Sequence, residues 1–425
     1  MKISRKIVLV PQGSLGDLHP ILALGLALRD RGAEVLICSH PYYRAKVEKA
    51  GLRFKPIGPD RQQFERDLGI PPDEIIRRMS RDHAFLLNGI IAPYLEAWIA
   101  ELLPVVREAD LVVGNPLTYA AHIAAKLCGK PYVTGALMPA VLMSAYDPPK
   151  SPEGPFFTEP KTAWQREFNR TIFRLARLKI RGGLTPIRKI YKQYKMQPQE
   201  DLGGVVSDDM TLALFSPLLA DPQPDHPPNT HIAGFPFYDS EDGSEARLSA
   251  EVETFLSKNK PPIVYSLGSM AILNGEGFYR ESIRASKMLG EPCIVLVGDE
   301  SPLLHEDFGP DVLVTPYAPH SLLYPNCRAI VHHGGIGSTA QALRAGRPAL
   351  ITPVFADQFD NAHRVSKLGA ARALNFDDFT AETAVEALSW LINSKDAEKK
   401  AAEFKPIVEA ETGADRGAQI LLDAI

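Results

Sequence analysis

Arg328-Ala-Ile-Val-His-His-Gly-Gly-Ile-Gly-Ser-Thr-Ala-Gln-Ala-Leu-Arg-Ala-Gly-Arg-Pro348 runs into Ala349-Leu-Ile-Thr-Pro-Val-Phe-Ala-Asp-Gln-Phe-Asp-Asn361. Ala329 to His332 is a short apolar run and reads as a buried strand. Gly334, Gly335 and Gly337 follow, then Ser338 and Thr339 where a helix begins, with Ala340 to Ala345 as its first turns. A strand that ends in small residues at a helix N-terminus is an anion site. Free backbone N–H groups and the helix dipole face the ligand, and glycine lets a phosphate approach the main chain. His333 adds a donor, and a cation if protonated. Beyond Gly346, Ala349 to Val354 reads as the next strand, ending in the acidic–amide pair Asp357-Gln358. Those two side chains suit the hydroxyls of whatever carries the phosphate. Together the features point to a sugar joined to a diphosphate.

Upstream of this corner, strands and helices alternate: Ile263 to Leu267, a helix Tyr279 to Leu289, Cys293 to Val297 and Val312 to Thr315. The N-terminal half opens the same way. Ile7 to Val10 is a strand, Gly13-Ser-Leu-Gly-Asp-Leu-His-Pro20 a glycine-bearing loop, Ile21 to Asp30 an apolar helix and Glu34 to Cys38 a second strand. This βαβ start predicts a parallel sheet. It does not fit a dinucleotide fold. The loop is Gly-x-x-Gly, and strand two ends in Ser39-His40 rather than an acid. Leu111 to Val113, a helix Ala120 to Leu127, and Tyr132 to Thr134 continue the half, with Ala213 to Ser216 as its last strand. We therefore expect an α/β protein of two Rossmann-like parallel-sheet domains facing across a cleft. The expected division is 1–216, a Pro-rich linker 217–245, a second domain 246–400, and a helical segment 401–425.

Length and composition agree. A chain of 425 residues is comfortable for two domains, and 45% apolar with 23% charged residues is ordinary globular composition. A net charge of −4 gives no reason to expect nucleic acid as a partner. Cys38, Cys128, Cys293 and Cys327 are scattered, so neither a disulfide framework nor a zinc site is indicated. The apolar run near the N-terminus is too short for a signal peptide, and no membrane-spanning run is expected. The expected location is cytoplasmic. The oligomeric state is not written in the sequence.

The quoted stretch resembles the donor-binding signature of family 1 nucleotide-sugar glycosyltransferases of the GT-B fold. The family's His, Gly, Ser-Thr and Asp-Gln positions fall on His333, Gly335, Ser338-Thr339 and Asp357-Gln358. Gly13-Ser-x-Gly-Asp-x-x-Pro20, Gly234-Phe-Pro-Phe-Tyr238 and Asp357-Gln-Phe-Asp-Asn361 are similar to bacterial rhamnolipid rhamnosyltransferases, and the first element also to sterol glucosyltransferases. The resemblance implies an inverting, metal-independent transferase. It would move a hexose from a UDP- or dTDP-sugar to a hydroxyl of a hydrophobic alcohol, phenol or lipid. The nucleotide sugar is then a co-substrate, and no cofactor is implied. Leu267-Gly-Ser269 resembles the family's phosphate-contacting Phe-Gly-Ser, which assigns Gly268 and Ser269. Tyr317-Ala-Pro-His320 stands where the family has Trp-x-Pro-Gln beside the base. Gln341 stands where plant members carry a ribose-binding Glu. The absence of Asp-x-Asp argues against a metal-bridged diphosphate.

Inverting transfer needs a base for the acceptor hydroxyl and a stabiliser for the leaving diphosphate. In the family's motif the base sits three residues before the proline, here Asp17. Where the base is His, its partner acid follows a later strand. The matching stretch here, Gly114-Asn-Pro-Leu-Thr-Tyr119, has no acid, which favours a carboxylate base over His19. The competing reading is that Asp17 caps a helix beginning near Pro20. Phe85, Met138, Met143 and Phe156-Phe157 are candidate acceptor-pocket liners, with core packing the alternative for each. Two other functions stay open: a GT-B sugar-nucleotide epimerase and a non-catalytic sugar-nucleotide binder. Finally, Trp164 to Arg181 reads as an amphipathic helix, and 161–195 holds eleven basic residues against one acid, Glu167. Its alternatives are a solvated basic face and peripheral contact with an anionic membrane.

Overall fold

The strands are near-continuous apolar runs because both faces of a parallel sheet are covered. The computed structural model describes residues 4–71, 74–75, 77–78, 82–151, 157, 159–198, 200–202, 204–240, 245–268 and 275–425. Two compact units form, Met1–Tyr238 with Thr412–Ile425, and Asp239–Glu411.

In unit one the sheet strands are β1 (Lys6–Val10), β2 (Glu34–Ser39), β3 (Arg53–Pro56), β4 (Leu111–Gly114), β5 (Tyr132–Ala136), β6 (Met210–Ala213) and β7 (Thr230–Ile232). Among the described residues they make a seven-stranded sheet in the order β3-β2-β1-β4-β5-β6-β7, parallel throughout. Helix α1 (Leu15–Asp30) buries Leu18, Ile21, Leu22, Leu24 and Leu28. At Gly25 an added Cβ would stand 3.0 Å from Leu52 and 3.3 Å from Leu9, so glycine sets how closely α1 lies on β1. On the core side, α2 (Ala92–Glu108) buries Leu95, Trp98, Ile99, Leu102 and Val106, in one cluster with residues of α3 (Tyr119–Leu127). Each such side chain contributes about 1.5–3 kcal/mol of burial free energy.

Unit two repeats the plan with β8 (Ile263–Ser266), β9 (Cys293–Leu296), β10 (Val312–Thr315), β11 (Ala329–His332), β12 (Ala349–Ile351) and β13 (Ala371–Ala373). Their order is β10-β9-β8-β11-β12-β13, again all parallel. In each unit the first strand lies between an earlier-numbered branch and a later one. The strand order reverses at β1/β4 and at β8/β11, where the carboxyl ends of an open α/β sheet leave a crevice for ligand.

Several expectations are corrected. Helix α1 starts at Leu15, not Ile21, because Ser14 and Asp17 form a capping box that carries the helix through Pro20. The strand expected over Ala213 to Ser216 is instead Met210–Ala213, and a further strand, β7, lies inside the segment read as linker. The strand expected to reach Val354 stops at Ile351, where the loop to the next helix begins. By length and apolar composition Leu86–Glu108 could cross a membrane, contrary to expectation, although its buried side chains belong to the unit-one core. The contact boundaries fall at 238/239 and 411/412 rather than at 216/217 and 400/401, since β7 pairs with β6 in the first sheet. The last helix, α11 (Gly413–Asp423), packs Gly417 against Leu24, Leu212 and Leu214 of unit one.

Candidate functional site

In unit one the loop after β1 carries Asp17 in the first turn of α1. Ser14 N–H donates to Asp17 Oδ2 at 2.8 Å, and Gly16 N–H donates to Ser14 Oγ at 3.1 Å. Gly13 has φ +133, and a Cβ there would stand 2.2 Å from Asp17 Oδ2, so a side chain at this position would evict the carboxylate. The cap reading and the base reading thus concern the same half-buried carboxylate. Its other oxygen, Oδ1, accepts from Asn115 Nδ2 at 3.1 Å. The amide is itself oriented by Gln12 O at 2.5 Å. Asn115 follows β4, in the stretch noted for lacking an acid. Burial pushes the Asp17 carboxyl up to about 6, against the pull of the Ser14 and Asn115 hydrogen bonds toward lower values.

Beside this loop, at the carboxyl end of β2, lies an aromatic group that the sequence reading missed. Tyr43 Oη donates to Gly13 O at 3.0 Å. Tyr42 packs edge-on against Tyr43 with centroids 4.3 Å apart and stacks on His40 at 5.3 Å. Trp98 meets His40 edge-on at 5.9 Å. Tyr42 is 52% exposed, so part of this wall faces solvent. The available signal was Pro41-Tyr-Tyr43 directly after strand two; Trp98 comes from a helix far along the chain. Among the expected liners, Met138 and Met143 flank the single turn Pro139–Leu142 beyond β5, both half-buried. Phe85 is placed differently: it lies under Arg78 and lines a shallow depression with Glu74, Arg77 and Asp82, a charged setting rather than an apolar one. Phe156 and Ser269 lie outside the described residues. Phe157 packs on Phe173 at 4.6 Å.

In unit two the corner after β11 leads into α7 (Ile336–Ala345). The helix begins at Ile336, so Ser338 and Thr339 fall in its first turn rather than at its cap. Its N-cap is Gly335, which has no side chain to cap it. Its first N–H groups are thereby left for a ligand or water. The imidazole of His333 sits in front of this terminus. It is wedged between two glycines: a Cβ on Gly335 would stand 2.4 Å from His333 Nε2, and one on Gly268 3.1 Å from Cε1. His333 is 8% exposed, and its Nδ1 has no hydrogen-bond partner among the described residues. Burial lowers its pKa to about 4, with His320 nearby adding to the effect, so the resting ring is neutral and not the cation entertained above. A Cβ on Gly337 would meet open space. His332 is fully buried and accepts the Gly334 N–H on Nδ1 at 3.1 Å, a structural part.

The rest of the corner is braced. Thr339, expected as a ligand contact, is turned inward, with its hydroxyl donating to Gly334 O at 3.5 Å, while Ser338 stays half-buried. Asn361 Nδ2 donates to Gly334 O at 3.0 Å and to Asp357 Oδ2 at 2.8 Å. Asp357 is the N-cap residue of α8 (Gln358–Lys367). Gln358 commits its Oε1 to Val354 N–H at 2.8 Å and Phe355 N–H at 3.2 Å, which leaves its amide NH₂ as the group to offer a ligand. Gly334 has φ +86, and a Cβ there would lie 2.9 Å from Ile351 and 3.0 Å from Gln358 O. Gly334→Ala should therefore cost about 2–4 kcal/mol. The check is the urea midpoint at constant m, and an unshifted midpoint would contradict this account of the turn.

At the carboxyl end of β10, Tyr317 is 43% exposed. His320 stacks on Tyr324 at 4.4 Å, and burial lowers its pKa to about 4. Gln341, expected on ribose, donates its amide to Asp239 Oδ1 at 2.8 Å, and Arg344 donates to Oδ2 at 2.7 Å. Asp239 brings a carboxylate to the face of α7 that the sequence reading did not foresee.

Comparison with known proteins follows the same outline. Residues 7–135 match the glycosyltransferase family 28 N-terminal domain. Residues 287–415 match the erythromycin biosynthesis protein CIII-like C-terminal domain. The chain is 28% identical to O-mycaminosyltylonolide 6-deoxyallosyltransferase of Streptomyces fradiae, over 98% of this chain and 96% of that one. It is 28% identical to a sterol 3-beta-glucosyltransferase of Candida albicans, over 91% of this chain and 25% of that longer protein. Among solved structures, glycosyltransferase VinC in complex with dTDP superposes with TM-score 0.65 at 21% identity, covering 99% of each chain.

Proposed function

We propose that this chain, which is a family 1 glycosyltransferase of the GT-B fold, transfers a hexose with inversion and without a metal from a UDP- or dTDP-sugar to a hydroxyl of a hydrophobic acceptor. The observation that carries the donor half is the N-terminus of α7, whose N-cap glycine offers no capping side chain, with the buried imidazole of His333 beside it. Backbone N–H groups, the helix dipole and a neutral imidazole donor stabilise the departing diphosphate. The diphosphate's own charge would raise the imidazole pKa on binding and strengthen that bond. Asp357 and the Gln358 amide hold sugar hydroxyls, Tyr317 stacks on the base, and Asp239 supplies the ribose-binding acid that Gln341 lacks.

Asp17 takes the proton of the acceptor hydroxyl as its oxygen attacks the anomeric carbon. The bond to the diphosphate breaks on the opposite side, and its electron pair leaves with the nucleoside diphosphate. Tyr42, Tyr43 and Trp98 provide an aromatic wall for the acceptor beside the base. The O-mycaminosyltylonolide 6-deoxyallosyltransferase and the sterol 3-beta-glucosyltransferase among the relatives support an apolar polycyclic or lipid-like alcohol.

The test is incubation with UDP-glucose or a dTDP-hexose and a panel of sterol, phenol and hydroxy-fatty-acid acceptors. The expected products are free nucleoside diphosphate and a glycoside of inverted anomeric configuration, in yield unchanged by chelator. In parallel, the preferred donor should raise the melting point selectively, since ligand at 100 times its Kd adds about 2.7 kcal/mol. Retention of configuration, or a requirement for divalent metal, would overturn the mechanism.

A further inference from the structure

Helix α4 (Ala163–Gly183) is fastened to unit one by one face and presents an unusual one to solvent. Asn169 and Phe173 are buried, and Asn169 Nδ2 donates to Ala145 O at 3.1 Å. Arg177 is held inward by Asp201 at 2.6 Å, and Arg170 pairs with Glu167. The opposite side carries Trp164, Leu175 and Leu178, which are 73%, 58% and 61% exposed. Their spacing of eleven and then three residues puts all three on one stripe. Arg174 and Arg181 flank the stripe on one side and Lys179 on the other, all exposed, and none of them pairs with a described carboxylate.

Single exposed apolar residues are ordinary on a protein surface. Three large ones aligned on a helix that already has its own buried face are not. The charge is equally local: 161–195 holds eleven basic residues and one acid within a chain of net charge −4. An apolar stripe bordered by cations is the pattern of a helix lying in a membrane interface, with its stripe at the acyl boundary and its cations among headgroups. A nucleic acid would leave the tryptophan and leucines without a complementary surface.

We propose that α4 is a docking surface for an anionic lipid bilayer, with Trp164, Leu175 and Leu178 inserted and Arg174, Lys179 and Arg181 at the headgroup level. The surface is independent of the donor chemistry and does not rest on which acceptor is used.

The experiment is co-sedimentation of the full chain with phosphatidylcholine vesicles, with or without about one-third phosphatidylglycerol. The protein should sediment with the anionic vesicles only, and release as salt rises to about 0.5 M. The triple variant Arg174→Glu, Lys179→Glu, Arg181→Glu should weaken binding by a hundredfold or more, at about fivefold for each basic residue lost and further for each reversal. The variant Trp164→Ser, Leu175→Ser, Leu178→Ser should weaken it at least tenfold. Both should keep the wild-type melting point and turnover of a soluble acceptor. If the serine variant fails to fold, the charge variant decides alone. Absence of wild-type binding overturns the proposal, as does binding that neither variant weakens. So does self-association that the serine variant abolishes without any vesicle affinity, which would assign the stripe to a second copy.

Discussion

Asp17→Asn is expected to lower glycoside formation by a factor on the order of 10²–10⁴, the usual contribution of a positioned general base, while making the protein more stable. Both effects come from the same desolvated carboxyl, raised to about 6. For activity, only the ionised form accepts a proton. Thus kcat/KM should climb tenfold per pH unit below about 6 and level off above it. For stability, the folded-state pKa lies above the reference value of 3.8, so the folded protein disfavours ionisation. The stability contribution is complete below the reference value and falls as pH rises through about 6. Above that, relieving it is worth at most about 3 kcal/mol, less whatever solvent reaches the half-buried side chain. Asn keeps an oxygen for the Ser14 N–H, so the cap survives, but its NH₂ then faces the Asn115 Nδ2 donor, which offsets part of that gain. Asn115→Ala separates positioning from chemistry. Removing a donor to the ionised form should move the kinetic inflection upward, whereas a purely structural amide would lower the rate without moving it. An Asp17→Asn enzyme with near-normal turnover would show that the base is elsewhere.

His333→Ala is the second large effect, a loss on the order of 10²–10³ in kcat, as for removal of one preorganised donor to a developing anion. Gly335→Ala provides an independent route to the same defect. Its new Cβ would stand 2.4 Å from His333 Nε2, so the ring must leave its place while remaining in the chain. Both variants should weaken binding of free UDP or dTDP in calorimetry, and neither should shift the kinetic inflection assigned to Asp17. If Gly335→Ala retained most of the wild-type rate, the imidazole would not be where the leaving group forms.

The strands of unit two were the most legible part of the chain. Val312–Thr315 and Ala329–His332 match their expected spans to the residue, because each is an apolar run bounded by turn residues. Strand β7 escaped because Thr230-His-Ile232 has almost no apolar signal and sits among prolines; only pairing with β6 makes it a strand. The start of α1 was misplaced because Pro20 reads as a helix opener, while the reciprocal Ser14–Asp17 bonds that set the true start are tertiary in precision though local in sequence. The glycine corner was visible as a pattern. Its electrostatics were not, since the neutrality of His333 depends on burial that no linear spacing reports. Asn115 is the sharpest example. The stretch was correctly seen to lack an acid, yet what fills that place, an amide bound to Asp17, needs two strand ends brought side by side.

Unit one is interrupted in the chain: its first stretch ends at Tyr238 and its remainder, Thr412–Ile425, comes after all of unit two. Helix α11 lays Gly417 on Leu24, Leu212 and Leu214, and Asp415 bridges to Arg31 at 2.8 Å. During synthesis the face of these leucines that α11 covers stays open until residues 413–423 have left the ribosome. The half that emerges first is therefore the half that is finished last, and a nascent chain stalled within unit two would be a natural client for a chaperone.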